Sequence, residues 1–474
     1  MPELSVYLQD EFRRSLIDEA VKLAGSQSKL AALLSEKFER RIIRERVKDW
    51  KSGRHFSGWR LFMPIPIFKE ICRITGKDYK SALKFIVAYN PPEETPELKQ
   101  FKVKYRKLHI VKRNNKYYLD LYSVLPEKTL PAKRSHRELP IFCKVSKDYL
   151  DAWTFSSWLN SKIKLKRYIL LDDLFFTGAA IYASEGTTHT KNYNNDSVSL
   201  GNSEATVINI FTAWLKSFLL GFSLACHIDY NGKSCDREKL IRFWQGNLNF
   251  DINQNIKINL RKNLGSGLLV NNGVFQIRIR NTLLRTFTIK LLKINKELAL
   301  QNKEWAKAYL QGLLASEGSV PKEKLKMIGI GATDQKERAF IQKLLRKLKL
   351  TYSEGINQIN IHGWNSYIRL FLYDAFRIAQ VNSINKKARF LKGLRIHQKT
   401  ERLLRLYPFI GQKFTAQDWQ RRYNLALYIS AHKYLNSLVK DGFAESSIEN
   451  RIKYYWAKPE KVWLVKQIYE SIRI

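Results

Sequence analysis

The chain has 474 residues, 45% of them hydrophobic and 12% aromatic, so it is long enough for several folded domains and too apolar for a disordered tail. Its 83 Lys and Arg residues exceed its 43 Asp and Glu residues, giving a net charge of +40 that predicts a polyanionic partner, nucleic acid before an anionic membrane surface. The sequence carries neither an uncharged run of membrane-spanning length nor cysteines at metal-ligand spacing, so we expect a cytoplasmic, DNA-associated protein that keeps its thiols reduced and does not enter a membrane.

Residues 1–90 are expected to form an all-α helix-turn-helix domain. The stretch "SQSKLAALL" begins at a capping Ser26 and places its leucines on one face. The stretch "RRIIRERVKDWKSGR" then predicts a second, basic helix that ends at Gly53. Two short helices, the second basic, are typical of DNA-binding modules, whereas a structural bundle with a solvated basic face is the alternative. The DNA contacts expected here are Lys48, Lys51 and Arg54.

Residues 91–164 are expected to form a basic linker and strand region. The segment "NPPEETPE" is rich in Pro and Glu and predicts a hinge. Beyond it, "VKYRKLHIVKRNNKYYLDLY" interleaves tyrosines with basic residues, an alternation that favours strands lying on phosphate groups.

Residues 165–300 and 301–400 form an internal repeat. "AIYASEG" ends at Gly186 and "GLLASEG" ends at Gly318. Further landmarks recur in the same order: Leu200-Gly201 matches Ile330-Gly331, and Ile294-Asn295-Lys296 matches Ile384-Asn385-Lys386. The first copy carries a longer insert at about residues 230–255. Each copy is expected to be an α+β unit built around an antiparallel sheet.

The two Ala-Ser-Glu-Gly helices resemble the signature helices of the LAGLIDADG homing endonucleases, although the sixth motif position is alanine in both and the first copy has alanine at the third. The resemblance implies two αββαββα repeats in a pseudo-twofold arrangement, as in the double-motif, monomeric members of that family. It also implies that Glu185 and Glu317 bind Mg²⁺ or Mn²⁺ and, with Lys296 and Lys386 near the start of the last helix of each copy, cleave DNA. The alternative for each glutamate is a solvated helix end, and the alternative for each lysine is a surface residue.

Strands that follow each signature helix offer a surface for reading DNA. In "NIKINLRK" and "VFQIRIR" apolar and polar residues alternate, which places the long donors on one face of a strand. Arginine and amide side chains match base edges in a major groove, and lysines match phosphates. The expected readers are Lys257, Asn259, Arg261, Gln276, Arg278 and Arg280 in the first copy, and Gln358, Asn360 and His362 in the second.

The C-terminal residues 405–474 resemble a winged helix-turn-helix. "FTAQDWQRRYN" predicts a capped helix, "ALYISAHKYLNSLVKDGF" a second helix that Gly442 ends, and "AESSIENRIKYYWAKP" a two-stranded ribbon. We expect His432, Lys433 and Lys453 to contact DNA, and a winged helix used for protein contact is the alternative.

These patterns together favour an α+β, metal-dependent DNA endonuclease that acts as a monomer on both strands of a long, asymmetric site. A second interpretation is a DNA-binding transcriptional regulator that does not cleave. A third is an intron maturase, whose partner would be intron RNA on the same basic surface.

Overall fold

The computed structural model describes residues 5–53, 61–90, 100–131, 138–154, 161–187, 197–230, 237–252, 256–260, 272–378 and 385–472. Two compact units make up the chain, Met1–Leu298 and Ala299–Ile474. Helices and small sheets occur in both units, which confirms the α+β class. Within the described ranges, no helix is both long enough and apolar enough to cross a membrane.

The N-terminal domain combines helices with a small sheet. In chain order it contains β1 (Ser5–Leu8), α1 (Asp10–Ala24), α2 (Gln27–Lys37), α3 (Arg44–Ser52), β2 (Met63–Pro64), α4 (Ile65–Ile74), α5 (Tyr79–Ala82) and β3 (Ile86–Asn90), with strand order β2-β1-β3. Ser26 caps α2 by accepting from the amide of Lys29, and Gly53 ends α3 in the left-handed conformation. The predicted helix pair is therefore present, but the expectation of an all-α domain is wrong. The strands are too short for the sequence pattern to reveal, although Val6 and Leu8 are buried in the helical core.

Two further sheets follow in the first unit. Their strands are β4 (Ile110–Arg113), β5 (Lys116–Asp120), β6 (Ile141–Val145), β7 (Tyr149–Thr154), β8 (Lys162–Lys166) and β9 (Tyr168–Leu170). One sheet has the order β4-β5-β9, and the other has the order β11-β8-β7-β6. The short edge strand β11 (Leu219–Leu220) comes later in the chain than the other three strands of its sheet.

The first repeat copy begins with α6 (Asp173–Glu185) and continues with β10 (Ser197–Asn202), α7 (Ala205–Phe218), β11, β12 (Ala225–Tyr230), α8 (Arg237–Asn247), β13 (Lys257–Leu260), β14 (Val274–Arg280) and α9 (Thr282–Ala299). Its sheet has the order β10-β14-β12-β13, and β13 runs parallel to β12. The small residue Gly178 allows α6 to pack closely against α7, because a Cβ there would lie 2.4 Å from Trp214 on α7.

The second copy contains α10 (Lys303–Ser316), β15 (Gly318–Ser319), β16 (Ile328–Gly331), α11 (Gln335–Lys347), β17 (Tyr352–Glu354), β18 (Gln358–Ile361), α12 (Trp364–Leu372) and α13 (Lys386–Arg395). Its sheet has the order β15-β16-β18-β17, so β16, β18 and β17 repeat the order of β10, β14 and β12. Gly186 pairs with Leu200 as Gly318 pairs with Ile330. The two copies thus share their local connectivity, while the pseudo-twofold arrangement of the copies stays a prediction.

The C-terminal part of the second unit has the connectivity of a winged helix. It contains α14 (Gln398–Arg405), β19 (Phe414–Thr415), α15 (Ala416–Tyr423), α16 (Tyr428–Lys440), β20 (Ala444–Glu449), β21 (Ile452–Ala457) and α17 (Pro459–Ile472), with strand order β19-β21-β20. Thr415 and Asp418 form a capping box at the start of α15. Asn450 and Arg451 turn the ribbon with positive φ angles of 49° and 65°, as a two-residue hairpin turn requires.

Candidate nucleic-acid interface

The serine of each Ala-Ser-Glu-Gly stretch closes the last turn of a helix. Ser184 Oγ donates to the carbonyl oxygen of Ala180 at 3.0 Å, and Ser316 Oγ donates to that of Gly312 at 2.8 Å. Such back-bonding satisfies the hydroxyl within its own helix. The repeated serine therefore has a local structural explanation.

The glycine of each stretch is required by the turn from helix to sheet. A Cβ on Gly186 would lie 2.4 Å from the carbonyl oxygen of Tyr182, and a Cβ on Gly318 would lie 2.3 Å from that of Leu314. Real Cβ atoms do not approach backbone this closely, so only glycine allows the chain to leave the helix in this direction. Both glycines thus follow from the same backbone geometry.

Glu317 is the C-terminal cap of α10 and is half-buried beside Gly331 of the β15-β16-β18-β17 sheet. Burial raises the pKa of its carboxyl above the ordinary value, the charge of Lys386 lowers it, and the charge of Glu337 raises it. Its Oε2 lies 2.6 Å from the point that a Cβ on Gly331 would occupy. The glycine in β16 therefore leaves room for this carboxylate.

Lys386 binds the end of the helix that carries Glu317. Its Nζ donates to the carbonyl oxygens of Leu314, Ala315 and Ser316 at 3.1, 2.6 and 3.3 Å. These carbonyls form the negative end of the helix dipole, which a cation stabilises. The contact gives the lysine a structural role, and its predicted catalytic role stays a prediction.

Lys296 does not occupy the position expected of it. It lies in the last turn of α9, whereas Lys386 is the first residue of α13, so the predicted placement near the start of a helix is wrong for Lys296. The preceding asparagines explain the difference. Asn385 caps α13 by accepting from the amide of Ala388 at 2.8 Å, while Asn295 lies inside a continuous helix.

Glu185 is the last residue of α6 and is partly exposed. It belongs to the first unit and Glu317 to the second. Within either unit, the described residues bring no three His, Cys, Asp or Glu side chains together as a metal-binding group. Binding of Mg²⁺ or Mn²⁺ by Glu185 and Glu317 stays a prediction.

The polar face of the β10-β14-β12-β13 sheet contains a buried acid. Asp229 on β12 is 1% exposed and accepts from Asn259 Nδ2 at 2.8 Å and from Gln276 Nε2 at 2.9 Å. His227 Nε2 lies 3.8 Å from the same carboxylate. The two strands considered from sequence carry no acid, but their neighbour β12 does. The amides of Asn259 and Gln276 are therefore engaged within the sheet.

The cations of this face are more accessible. Lys257 and Arg280 are exposed, and Arg278 is half-buried with an Nε that has no hydrogen-bond partner among the described residues. Arg261 lies outside the described residues. Leu260, an apolar residue of the alternating stretch "NIKINLRK", is 54% exposed at the end of the edge strand β13.

The residues of the β15-β16-β18-β17 sheet that were predicted to contact DNA bases differ in exposure. Gln358 is exposed and His362 is half-buried, whereas Asn360 is only 8% exposed. Asn360 sits opposite Gly329 on β16 and Ser353 on β17 in the middle of the sheet. This amide is buried because β18 is a central strand of its sheet. Alternation in the sequence does not reveal which strands are central.

In the N-terminal domain, Lys48 on α3 is exposed. Lys51 forms an ion pair with Asp18 on α1, so part of its charge is compensated within the domain. Arg54 lies outside the described residues.

In the winged helix, His432 is held between two tyrosines. Its Nδ1 lies 2.9 Å from the hydroxyl of Tyr455, and its Nε2 lies 2.9 Å from the hydroxyl of Tyr428. Burial raises the pKa of Tyr455 to about 12, so this hydroxyl keeps its proton. Both ring nitrogens of His432 are therefore engaged, and its imidazole positions two tyrosines.

The exposed side of α16 carries Lys433, Asn436 and Lys440. Lys453 on β21 donates to Asn436 Oδ1 at 3.0 Å and so ties the ribbon to the helix. Asn436 and Lys440 were not predicted from the sequence as DNA contacts, although helical spacing from Lys433 indicates them.

No protein-family model matches the chain, and no curated protein matches it. Among solved structures, it is similar to the crystal structure of full-length DUF199/WhiA from Thermatoga maritima, at 11% identity and a TM-score of 0.26 over 57% of this chain and 92% of that chain. A similarity this weak carries no argument about function.

The assignment to the LAGLIDADG homing endonucleases is wrong, because no protein-family model supports it. Two of the four shared residues, the serine and the glycine, are explained by the way each helix ends. Serine closes the last turn and glycine permits the exit of the backbone, whichever family a chain belongs to.

Proposed function

We propose that this protein binds double-stranded DNA through the winged helix of residues 398–457. The observation that carries the proposal is the exposed side of α16, which presents Lys433, Asn436 and Lys440. None of the 13 residues of α16 is an Asp or a Glu, so no acid on the helix opposes a phosphate. A helix of this kind fits a major groove, and its lysines neutralise phosphates.

The ribbon supports the same function. Lys453 on β21 is fixed to Asn436 on the helix, which holds the ribbon and the helix in one orientation. Such preorganisation lowers the entropy lost when the two elements contact DNA together. The net charge of +40 for the whole chain supports attraction to a polyanion.

The test compares two pairs of lysines with the same spacing in the full chain. K433A/K440A removes the pair on α16, and K336A/K343A removes an exposed pair, also seven residues apart, on α11. K433A/K440A should weaken binding to a random duplex pool and reduce the salt dependence of log K by about 1.8, at about 0.9 per phosphate contact. Equal losses in both variants would contradict the assignment to α16, and excess duplex RNA as competitor would expose a preference for RNA.

Phosphodiester cleavage is a second candidate. The observation that favours it is the equivalent position of Glu185 and Glu317, each at the end of the helix that leads into a sheet of repeated connectivity. Supercoiled plasmid carrying sites selected by the protein, incubated with Mg²⁺ or Mn²⁺, should become linear if both glutamates act. E185Q and E317Q should then abolish linearisation while binding is retained, and intact plasmid with the unaltered chain would leave DNA binding alone as the function.

A further inference from the structure

A large cavity opens in the first unit, between the outer face of the β11-β8-β7-β6 sheet and the end of β14. Its volume is about 880 Å³. Cavities of about 300–1,000 Å³ are typical of sites for small molecules and cofactors. The described residues that line it come from all four strands of this sheet, the segment after β11 and the final residues of β14, with single residues of β3, β12 and α9.

The wall of the cavity is strongly cationic. Among the described residues that line it, one is the acid Asp151 and five are basic: Lys144, Lys162, Lys164, Arg278 and Arg280. Asp151 lies opposite Lys144 on one side and Lys164 on the other, so it offsets only part of this charge. The three lysines and Arg280 are exposed, which leaves their charges available to an anion.

The rest of the wall is aromatic and aliphatic. Trp153 and Phe222 line the cavity together with Leu220 and Ile279. The ring of Trp153 stacks on the buried ring of Phe142, with 6.0 Å between centroids and 21° between planes, so its orientation is fixed. A fixed aromatic ring beside a cluster of cations matches a ligand that is planar at one end and anionic at the other.

From this combination we infer that the cavity binds a nucleotide, with its phosphate against Lys162, Lys164 and Arg280 and its base against Trp153 and Phe222. The nucleotide can be free or part of a single strand, because both present the same base and phosphate. A paired base in a duplex does not present its face, so this site is distinct from the winged helix and does not depend on duplex binding. Arg278 and Arg280, assigned from sequence to a DNA groove, belong to this cavity.

The experiment measures binding of a labelled single-stranded oligothymidylate to the full chain over a range of salt concentrations. K162A/K164A should weaken binding at least tenfold and reduce the salt dependence of log K by about 1.4, two contacts at about 0.7 each. F222A should weaken binding by about 5- to 150-fold through lost stacking, with the salt dependence unchanged. K166A is the matched control, because Lys166 is an exposed lysine of the same strand that does not line the cavity.

Competition by thymidine monophosphate separates the two sources of the nucleotide. Full competition at a concentration similar to that of the oligonucleotide indicates a free nucleotide, whereas competition only at much higher concentration indicates a strand. Equal affinity and equal salt dependence of K162A/K164A and K166A would overturn the inference, as would absence of binding by both the oligonucleotide and thymidine monophosphate. If duplex binding still responded to K433A/K440A in that case, the proposed function would stand while the cavity site failed.

Discussion

The carboxylate of Glu317 fills the space that a side chain on Gly331 would need. Glu317 Oε2 lies 2.6 Å from the position of a Cβ on that glycine, whereas a Cβ on Gly318 would meet a backbone carbonyl at 2.3 Å. A carboxylate at the end of a side chain can move, but a helical carbonyl cannot.

The two glycines should therefore respond differently to alanine. G318A should lower the free energy of unfolding by about 1–3 kcal/mol, as forced overpacking does, because the end of α10 must shift. G331A should cost less than G318A, because only the Glu317 side chain has to turn away. Urea unfolding of both variants measures the difference, and equal losses would show that Glu317 is fixed in place.

Replacement of Glu317 by Gln should stabilise the protein at neutral pH. Burial raises the pKa of this carboxyl above 4.5, so the folded state disfavours the charge that the unfolded state carries freely. The penalty is present above the raised pKa and disappears as the pH falls through it towards 4.5. The urea midpoint of E317Q should exceed that of the unaltered chain at pH 7, and the gap should close near pH 4.

E323Q is the control for this prediction, because Glu323 is an exposed acid of the same unit. A gap that persists at low pH would mean that Gln stabilises the site through shape and not through loss of charge.

Removal of the Lys386 ammonium should destabilise the second unit. K386M deletes three hydrogen bonds to the end of α10, and a charged hydrogen bond contributes about 1.5–3 kcal/mol. K387M is the control, because Lys387 forms an ion pair with Asp374 at 3.1 Å near the surface, a kind of contact worth about 0–1 kcal/mol. Thermal unfolding should show the larger loss for K386M, and a larger loss for K387M would contradict the role of the helix end.

Removal of the Asp229 carboxylate should lower the stability of the β10-β14-β12-β13 sheet. D229A leaves the amides of Asn259 and Gln276 without their acceptor, which should cost about 1–3 kcal/mol. D251A, at an exposed acid of the same unit, should have little effect on the urea midpoint. If D229A matched D251A, the contacts of these amides with Asp229 would contribute little to stability, and the amides would be available to DNA.

The sequence by itself determined the features that depend on neighbouring residues. Ser26 and the Thr415 capping box mark helix starts, Gly53 marks a helix end, and the order of helices and ribbon after residue 405 predicts the winged helix. The charge of +40 indicates the class of partner. These properties follow from local hydrogen bonds, periodicity and composition, which a linear sequence contains.

Only the tertiary structure decided which polar side chains are available. Asp229 meets Gln276 and Lys386 meets Ala315 across 47 and 71 residues of sequence, and both contacts depend on strand register and helix packing. The cavity beside Trp153 likewise forms where strands from separate hairpins come together. Alternation shows that a side chain points away from the core, but the neighbouring strand determines whether it meets solvent or a buried acid.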